Sequence, residues 1–190
     1  MKYFLDTEFI EDGKTIDLIS IGIVAEDGRE YYACNDECDL SKASPWVQDN
    51  VLVHLPPKHI GINPGNPDVS PSVRQDILLW KTREQIAKDI MLLTLPCSGS
   101  PVFPSKPEFW GYYADYDWVV FCQLWGTMMD LPKDFPMYCR DIKQLCDSLG
   151  NPKLPEQGKG EHHALLDARH NQTMYEFLVN MERGSHANSK

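Results

Sequence analysis

The sequence predicts an α/β fold in which a mixed β-sheet is flanked by helices. Residues 3–33 read as strands, and after an irregular segment the chain interleaves helical patterns with one more strand. Its 190 residues suffice for one domain with a sizeable core. We find no internal repeat and no second domain, so we predict a single domain over residues 1–182 and a disordered tail over 183–190.

Three strands are predicted at the start of the chain. Residues 3–8 form the first and residues 16–25 the second, in which isoleucines alternate with smaller residues. Asp27-Gly28 is a turn signal, and residues 30–33 read as the next strand. Together these segments predict an antiparallel meander.

Helical patterns dominate the rest of the chain. Thr82-x-x-Gln85 is a capping box, and apolar residues at helical spacing follow it. Four further elements are apolar runs that end near glycines or polar segments: a strand over 108–113 and helices over 118–125, 142–149 and 163–181. These elements account for the helices that flank the predicted sheet.

Two segments are predicted to be irregular. Residues 35–70 contain five prolines, and we expect a structured insertion near a site rather than a linker. Residues 96–107 are rich in proline, serine and glycine and read as a loop. For the proline-rich part, 55–71, the sequence leaves open whether it flanks a substrate groove or a contact between protomers.

Composition limits the functions that the chain can have. The net charge of −10 argues against a general electrostatic grip on long nucleic acid, although bound metal ions could supply local positive charge. The sequence contains neither a secretory signal nor an apolar run long enough to span a membrane, so we expect a cytoplasmic protein. Its six cysteines are then expected to be reduced thiols with structural or incidental roles.

Two carboxylates lie on the first predicted strand. Asp6 and Glu8 are two residues apart, so on a strand they point to the same face. The flanking residues Phe4, Leu5 and Phe9 are apolar, which disfavours a solvated strand edge. Two like charges on one face repel each other and are costly to desolvate, and a divalent cation removes that cost. This pair, the first motif, therefore indicates a metal-dependent enzyme.

A second acidic motif lies where the strand over 108–113 gives way to a helix. Asp115 and Asp117 both fall in this segment, and an Asp there could also cap the helix. Either carboxylate could reach a site at the strand end. We call Asp117 with the preceding Tyr116 the second motif and keep Asp115 as the rival ligand.

A third motif opens the last predicted helix. His162 and Asp167 are five residues apart, which corresponds to about 140° on a continuous helix, so the two would not share a face. If both serve one site, His162 must lie in the loop before the helix and Asp167 in its first turns. A structural salt bridge is the alternative role for Asp167, and His163 is the rival for His162.

The three motifs, in this order and over residues 1–180, resemble the exonuclease motifs of the DEDD superfamily. The histidine five residues before the last aspartate is typical of its DEDDh branch. The segment from Phe4 to Ile10, the following Asp-Gly and the strand Leu-Ile-Ser-Ile-Gly-Ile-Val resemble more particularly the polyadenylate-specific 3'-exoribonuclease group. Many DEDDh members carry an Asn where this chain has Tyr112, which argues against the DNA-proofreading and oligoribonuclease groups.

The resemblance implies a ribonuclease H-like fold and a two-metal mechanism with Mg²⁺ or Mn²⁺, two ions per site. Asp6, Glu8 and Asp167 would hold the nucleophile-side ion, and Asp6 would bridge to a second ion that Asp117 helps to bind. These four carboxylates and His162 are the implied catalytic residues, with His162 taking the proton from the attacking water. The products would be nucleoside 5'-monophosphates.

Substrate contacts are expected from residues next to the first motif. Phe9 is the candidate for stacking on a terminal base, which needs no sequence code and suits single strands, and Thr7 is a second substrate-binding candidate. Arg169 and His170 are expected on a solvated helix face, although Arg169 could reach a phosphate.

The sequence thus predicts a 3'→5' exonuclease for single-stranded nucleic acid, with RNA 3' ends as partner and an adenylate preference implied by the resemblance. The alternatives are a DNA or short-oligonucleotide 3' exonuclease of the same superfamily and a catalytically silent nucleic-acid-binding module. Related enzymes often form homodimers, so a homodimer is a further expectation.

Overall fold

A computed structural model of the chain describes residues 1–95 and 106–187, with side chains to residue 184. Within these ranges six strands form one sheet, and their bounds are β1 (Lys2–Glu11), β2 (Ile16–Ala25), β3 (Glu30–Asn35), β4 (Trp80–Lys81), β5 (Glu108–Gly111) and β6 (Arg140–Asp141). Their spatial order is β4-β3-β2-β1-β5-β6. The long strand β1 therefore lies in the middle of the sheet.

The sheet is mixed, as predicted. β1, β2 and β3 pair antiparallel in sequence, which confirms the predicted meander. β4 adds parallel to β3, while β5 and β6 extend the other side as parallel strands. Crossover connections that carry helices join the parallel strands to the rest, as parallel pairing requires.

Helices cover both faces of the sheet. Their bounds are α1 (Pro45–Asn50), α2 (Pro71–Leu79), α3 (Arg83–Thr94), α4 (Asp115–Cys122), α5 (Ile142–Ser148) and α6 (Ala164–Ala187). Alternate residues of β1 divide the core: Tyr3 and Leu5 pack with buried residues of α3 and α4, while Phe4 packs with those of α5 and α6. The predicted mixed sheet flanked by helices is therefore confirmed.

Several boundaries differ from those predicted. The segment 35–70 is not wholly irregular, because it contains α1 and two short 3₁₀ turns over Leu40–Lys42 and Leu52–His54. Helix α2 was not predicted at all. Helix α4 begins at Asp115, earlier than predicted, because that turn is polar and lacks the apolar pattern used to find it.

The end of the chain also differs from the prediction. Helix α6 continues to Ala187, past the point where we expected the tail to begin. Residues 188–190 of that predicted tail lie outside the described residues, as do Cys97 and nearly all of the predicted loop over 96–107. The division into one domain and a tail stays a prediction.

Two sequence expectations about environment can be compared with the described residues. The cysteines among them, at positions 34, 38, 122, 139 and 146, are all free thiols. No helix in the described part of the chain is long and apolar enough to cross a membrane.

Candidate active site

The first motif lies on the face of β1 that looks toward α6. Asp6 pairs across the sheet with Gly22 and Glu8 with Ser20, and the register shifts directly after Glu8. Such an irregularity bends a strand and re-aims its side chains. Both carboxylates line the same cavity, as their spacing on a strand predicts.

One edge of β1 is open beside these acids. β5 pairs with β1 only from Lys2 to Phe4, so the backbone groups beyond that point need other partners. The Thr7 N–H donates to Asp117 Oδ1 at 2.8 Å, and the Asn171 side-chain amide donates to the Leu5 carbonyl at 2.9 Å. Side chains of Asp117 and Asn171 thus pair with backbone groups of β1 that β5 does not reach.

Asp117 is held at this open edge from the first turn of α4. Its Oδ1 also accepts from the Thr7 hydroxyl at 2.7 Å, and the side chain is buried. The N-cap of α4 is Ala114, so Asp117 is not the helix cap. Asp115 is exposed to solvent. Asp117 rather than its rival therefore lies in the cavity with the first motif.

The third motif brackets the start of α6 in the way its spacing requires. His162 lies in the turn before the helix with a φ of +66°, and Asp167 lies in the first turn. The His162 backbone N–H donates to Asp167 Oδ2 at 2.9 Å, and the Gln157 amide donates to Oδ1. The left-handed backbone at His162, uncommon for a residue other than glycine, turns its side chain toward the site.

These motifs converge. Ligand atoms of Glu8, His162 and Asp167 all lie within 4.8 Å of one another. With Asp6 and Asp117 they line a cavity of about 750 Å³. The other lining residues come from β1, from the segments after β5 and before α6, and from α6 itself: Thr7, Tyr112, Leu154, Pro155, Glu156, Gln157, Glu161, His170, Asn171 and Met174.

The clustered carboxylates are electrostatically strained. Burial raises the pKa of Glu8 to about 8, with the charges of Asp167 and Asp117 adding to the effect. Burial raises the pKa of Asp117 to about 6 in spite of its hydrogen bonds from Thr7. Burial, followed by the charge of Asp117, raises the pKa of Asp6 well above its ordinary value, and burial also raises that of Asp167. A cation among these groups would relieve their repulsion.

The donor set fits hard divalent cations. Mg²⁺ and Mn²⁺ prefer carboxylate oxygen ligands, and four carboxylates face one cavity from β1, α4 and α6. Their raised pKa values indicate that, without a cation, the site favours protonation. The residues present therefore fit a metal centre on their chemistry as well as on their position.

The rival histidine has a different setting. The His163 ring stacks on Tyr32 with ring centroids 4.5 Å apart, and burial lowers its pKa. Arg169 forms a double hydrogen bond with Glu30 on β3, so its guanidinium is engaged away from the acids. His170 lines the cavity instead of lying on a solvated face, which corrects the sequence expectation for it.

Several lining residues had no sequence signal. Gln157 lies in an irregular segment, and Asn171 occupies an ordinary polar position of a helix. Their importance follows only from partners that are distant in sequence, such as the Leu5 carbonyl. Tyr112, from the segment that follows β5, also lines the cavity.

Two aromatic contacts involve motif residues or their sequence neighbours. Phe9 stacks on Tyr116 with ring centroids 5.8 Å apart and planes 16° apart, and it packs against the core on the Tyr3 and Leu5 side of β1 rather than among the residues that line the cavity. Trp46 of α1 lies edge-on to His162, with centroids 4.9 Å apart. The segment 35–70 was expected near a site, and Trp46 brings part of it there.

Two curated proteins match most of this chain. Two curated Mycobacterium tuberculosis proteins, one from strain CDC 1551 and one from strain H37Rv, are each 43% identical to this chain over 169 residues. The match covers 89% of this chain and 88% of each relative, and both are named 3'-5' exoribonucleases. No protein-family model matches the sequence.

A solved structure of the yeast NOT1 MIF4G domain co-crystallized with CAF1 is a more distant neighbour. It aligns with a TM-score of 0.44 and 13% identity, covering 97% of this chain and 80% of that one. This likeness is too weak to identify the fold.

Proposed function

The chain belongs to the family of these mycobacterial 3'-5' exoribonucleases, and we propose that it is a metal-dependent enzyme that removes nucleotides from the 3' end of single-stranded RNA. One observation carries this conclusion: the side chains of Asp6, Glu8, Asp117, His162 and Asp167, from three separate segments, line one cavity. A structural role would not require three segments to bring like charges together.

The carboxylates would hold two ions. Asp6, Glu8 and Asp167 would hold the nucleophile-side Mg²⁺ or Mn²⁺, and Asp6 with Asp117 would hold the second. When bound, the pair stabilises the charge that develops on the scissile phosphate and lowers the pKa of the attacking water. The Thr7 N–H donates to one oxygen of Asp117, and the His162 N–H donates to one oxygen of Asp167. These hydrogen bonds orient the two carboxylates.

His162 would act as general base. Its side chain approaches Glu8 and Asp167, so a water bound beside these carboxylates would lie within reach of the imidazole. The imidazole takes the proton of that water as its oxygen attacks phosphorus, and the bond to the 3'-oxygen of the preceding nucleotide breaks. The leaving 3'-oxygen takes a proton from solvent, so the shortened RNA ends in a 3'-hydroxyl and a nucleoside 5'-monophosphate is released.

Three finer features belong to the same proposal. The fold is ribonuclease H-like, which the order of the motifs and the mixed sheet support. The substrate preference is for adenylate, which the likeness to the polyadenylate-specific group supports. Phe9 contacts the substrate, since it directly follows Glu8 and stacks on Tyr116, a ring that is 56% exposed.

A substrate panel tests the RNA and adenylate parts. Oligonucleotides of one length would carry 3'-terminal A, C, G or U, each with ribose or deoxyribose, and the first cleavage would be timed with Mg²⁺ and with Mn²⁺. We expect the ribose series to be faster, with A-ended RNA fastest, and a 5'-monophosphate as product. Equal rates on ribose and deoxyribose would discard the RNA assignment in favour of a DNA or general 3' exonuclease and keep the mechanism.

A further inference from the structure

The indole of Trp46 is exposed although the helix that carries it is anchored. Trp46 is 55% exposed, whereas Val51 at the end of the same helix is buried against Ile10 of β1 and Ile19 of β2. Packing therefore accounts for the position of α1 but not for a large aromatic ring on its outer side.

Helix α1 presents this ring from a fixed position. Ser44 caps the helix by accepting from the Val47 N–H at 3.3 Å, and Pro45 occupies its first turn. The Gln48 amide donates to the Ala43 carbonyl at 2.8 Å. A ring that is already ordered loses little entropy when a flat ligand stacks on it.

The chemistry of the reaction fixes what Trp46 can touch. In an in-line displacement the attacking water and the leaving 3'-oxygen lie on opposite sides of phosphorus. The leaving oxygen belongs to the rest of the RNA, whereas the general base lies on the side of the attacking water. A group beside the general base therefore lies on the opposite side of phosphorus from the rest of the RNA. Trp46 lies edge-on to His162, with ring planes 79° apart. The nucleotide within its reach is therefore the terminal one that is being removed.

We propose that Trp46 is a substrate-binding residue that stacks on the nucleobase of the 3'-terminal nucleotide, a role that rests on the exonuclease activity proposed for this cavity. Stacking favours large purine surfaces and works for any base, so it grips the terminal nucleotide without a hydrogen-bond code. Phe9 and Tyr116 form a separate stacked pair, and neither is among the residues that line the cavity.

The test uses a base that can be removed. Two 5'-labelled RNA oligonucleotides are identical except that one ends in adenosine and the other in an abasic ribonucleotide. The rate of the first cleavage, as kcat/KM, is measured for wild type, Trp46→Ala and Trp46→Phe. Tyr138→Ala is the matched control, because Tyr138 is 57% exposed and lines a different cavity.

We expect Trp46→Ala to lower kcat/KM on the adenosine-ended RNA by about 5- to 150-fold, the range that corresponds to loss of one base–aromatic stack. On the abasic RNA, Trp46→Ala should change the rate by less than about twofold, because the base that Trp46 would contact is already absent. Trp46→Phe should retain most of the activity, and Tyr138→Ala should behave as wild type on both.

An equal loss on the two RNAs would overturn the inference, because Trp46 would then act through His162 or through the fold. That result would leave the proposed activity intact. Absence of metal-dependent cleavage by the wild-type protein would overturn the proposed function, and the role of Trp46 with it.

Discussion

The α-carbon of Gly22 lies directly against the backbone of Ala164. A β-carbon built at Gly22 would fall 2.3 Å from both the carbonyl carbon and the carbonyl oxygen of Ala164. Gly22 is the cross-strand partner of Asp6, and Ala164 begins the helix that carries Asp167. The missing side chain therefore allows the third motif to approach the first.

Gly22→Ala is expected to displace the start of α6 and to separate Asp167 from Asp6. Overpacking against backbone costs about 1–3 kcal/mol of stability, and a shift of about 1 Å at a reacting site can lower turnover by about 100-fold. Thermal unfolding and turnover of the variant would measure both effects. Gly184→Ala is the control, since a β-carbon there meets nothing within 4 Å. Wild-type turnover in Gly22→Ala would show that the approach does not position the site.

The metal-free protein is expected to lose stability as pH rises. The pKa of Glu8 is raised from 4.5 to about 8, so the folded protein binds a proton there that the unfolded chain has released. Since the folded state binds more protons between these two values, stability falls across pH 4.5 to 8. Asp117 contributes in the same direction up to about pH 6. Unfolding in a chelator across this range, with wild type and Glu8→Gln, would measure the slope.

Metal should reverse that slope. Mg²⁺ or Mn²⁺ competes with protons for the same carboxylates, so either ion should stabilise the protein more at pH 8 than at pH 5. Glu8→Gln should show a flatter pH dependence in chelator and less stabilisation by metal. A wild-type slope unchanged by this substitution would mean that Glu8 does not titrate as its surroundings imply.

Asp117→Asn should be far more damaging to turnover than Asp115→Asn. Asp117 is buried in the cavity, whereas Asp115 is exposed on the same helical turn. The Asn carbonyl can still accept from Thr7, so the fold should survive while a metal-binding charge is lost. Steady-state rates of the two variants over a range of metal concentrations would rank them. The reverse ranking would move the second motif to Asp115.

His162→Asn should lower the rate by roughly 10²–10⁴-fold while metal binding persists, the size of effect expected for a general base. Asn tolerates the left-handed backbone at this position, so the substitution does not add strain. His163→Asn is the matched control: loss of its stack on Tyr32 should lower stability more than rate. Calorimetric titration with Mn²⁺ beside single-turnover kinetics would separate binding from chemistry. Equal rate losses in the two variants would contradict the role of His162.

Local patterns in the sequence predicted the meander and the spacing of the site residues because both depend on near neighbours. Residues 16–25 alternate as a strand and form one, and the position of His162 before its helix follows from helical geometry. The preference for Asp117 over Asp115 came from the resemblance and matches the cavity lining.

The sequence alone did not predict the contacts between site residues that are distant in the chain. Gln157 and Asn171 bond partners that lie 10 and 166 residues away, and nothing in their local pattern marks them. Trp46 lies in the segment 35–70, which we read as irregular because α1, capped by Ser44 and with Pro45 in its first turn, has only six residues. The boundaries of α4 and α6 shifted because their first and last turns are polar.

The most direct measurement is a time course of a 5'-labelled single-stranded RNA with Mg²⁺, with Mn²⁺ and with chelator, run in parallel for wild type and Asp6→Asn. The metal site predicts a ladder that shortens from the 3' end, needs metal and is absent in Asp6→Asn, while unfolding of the variant remains cooperative. A ladder of undiminished rate in chelator or in Asp6→Asn would contradict the site. With no ladder under any condition, the chain would instead be a silent nucleic-acid-binding member of its family.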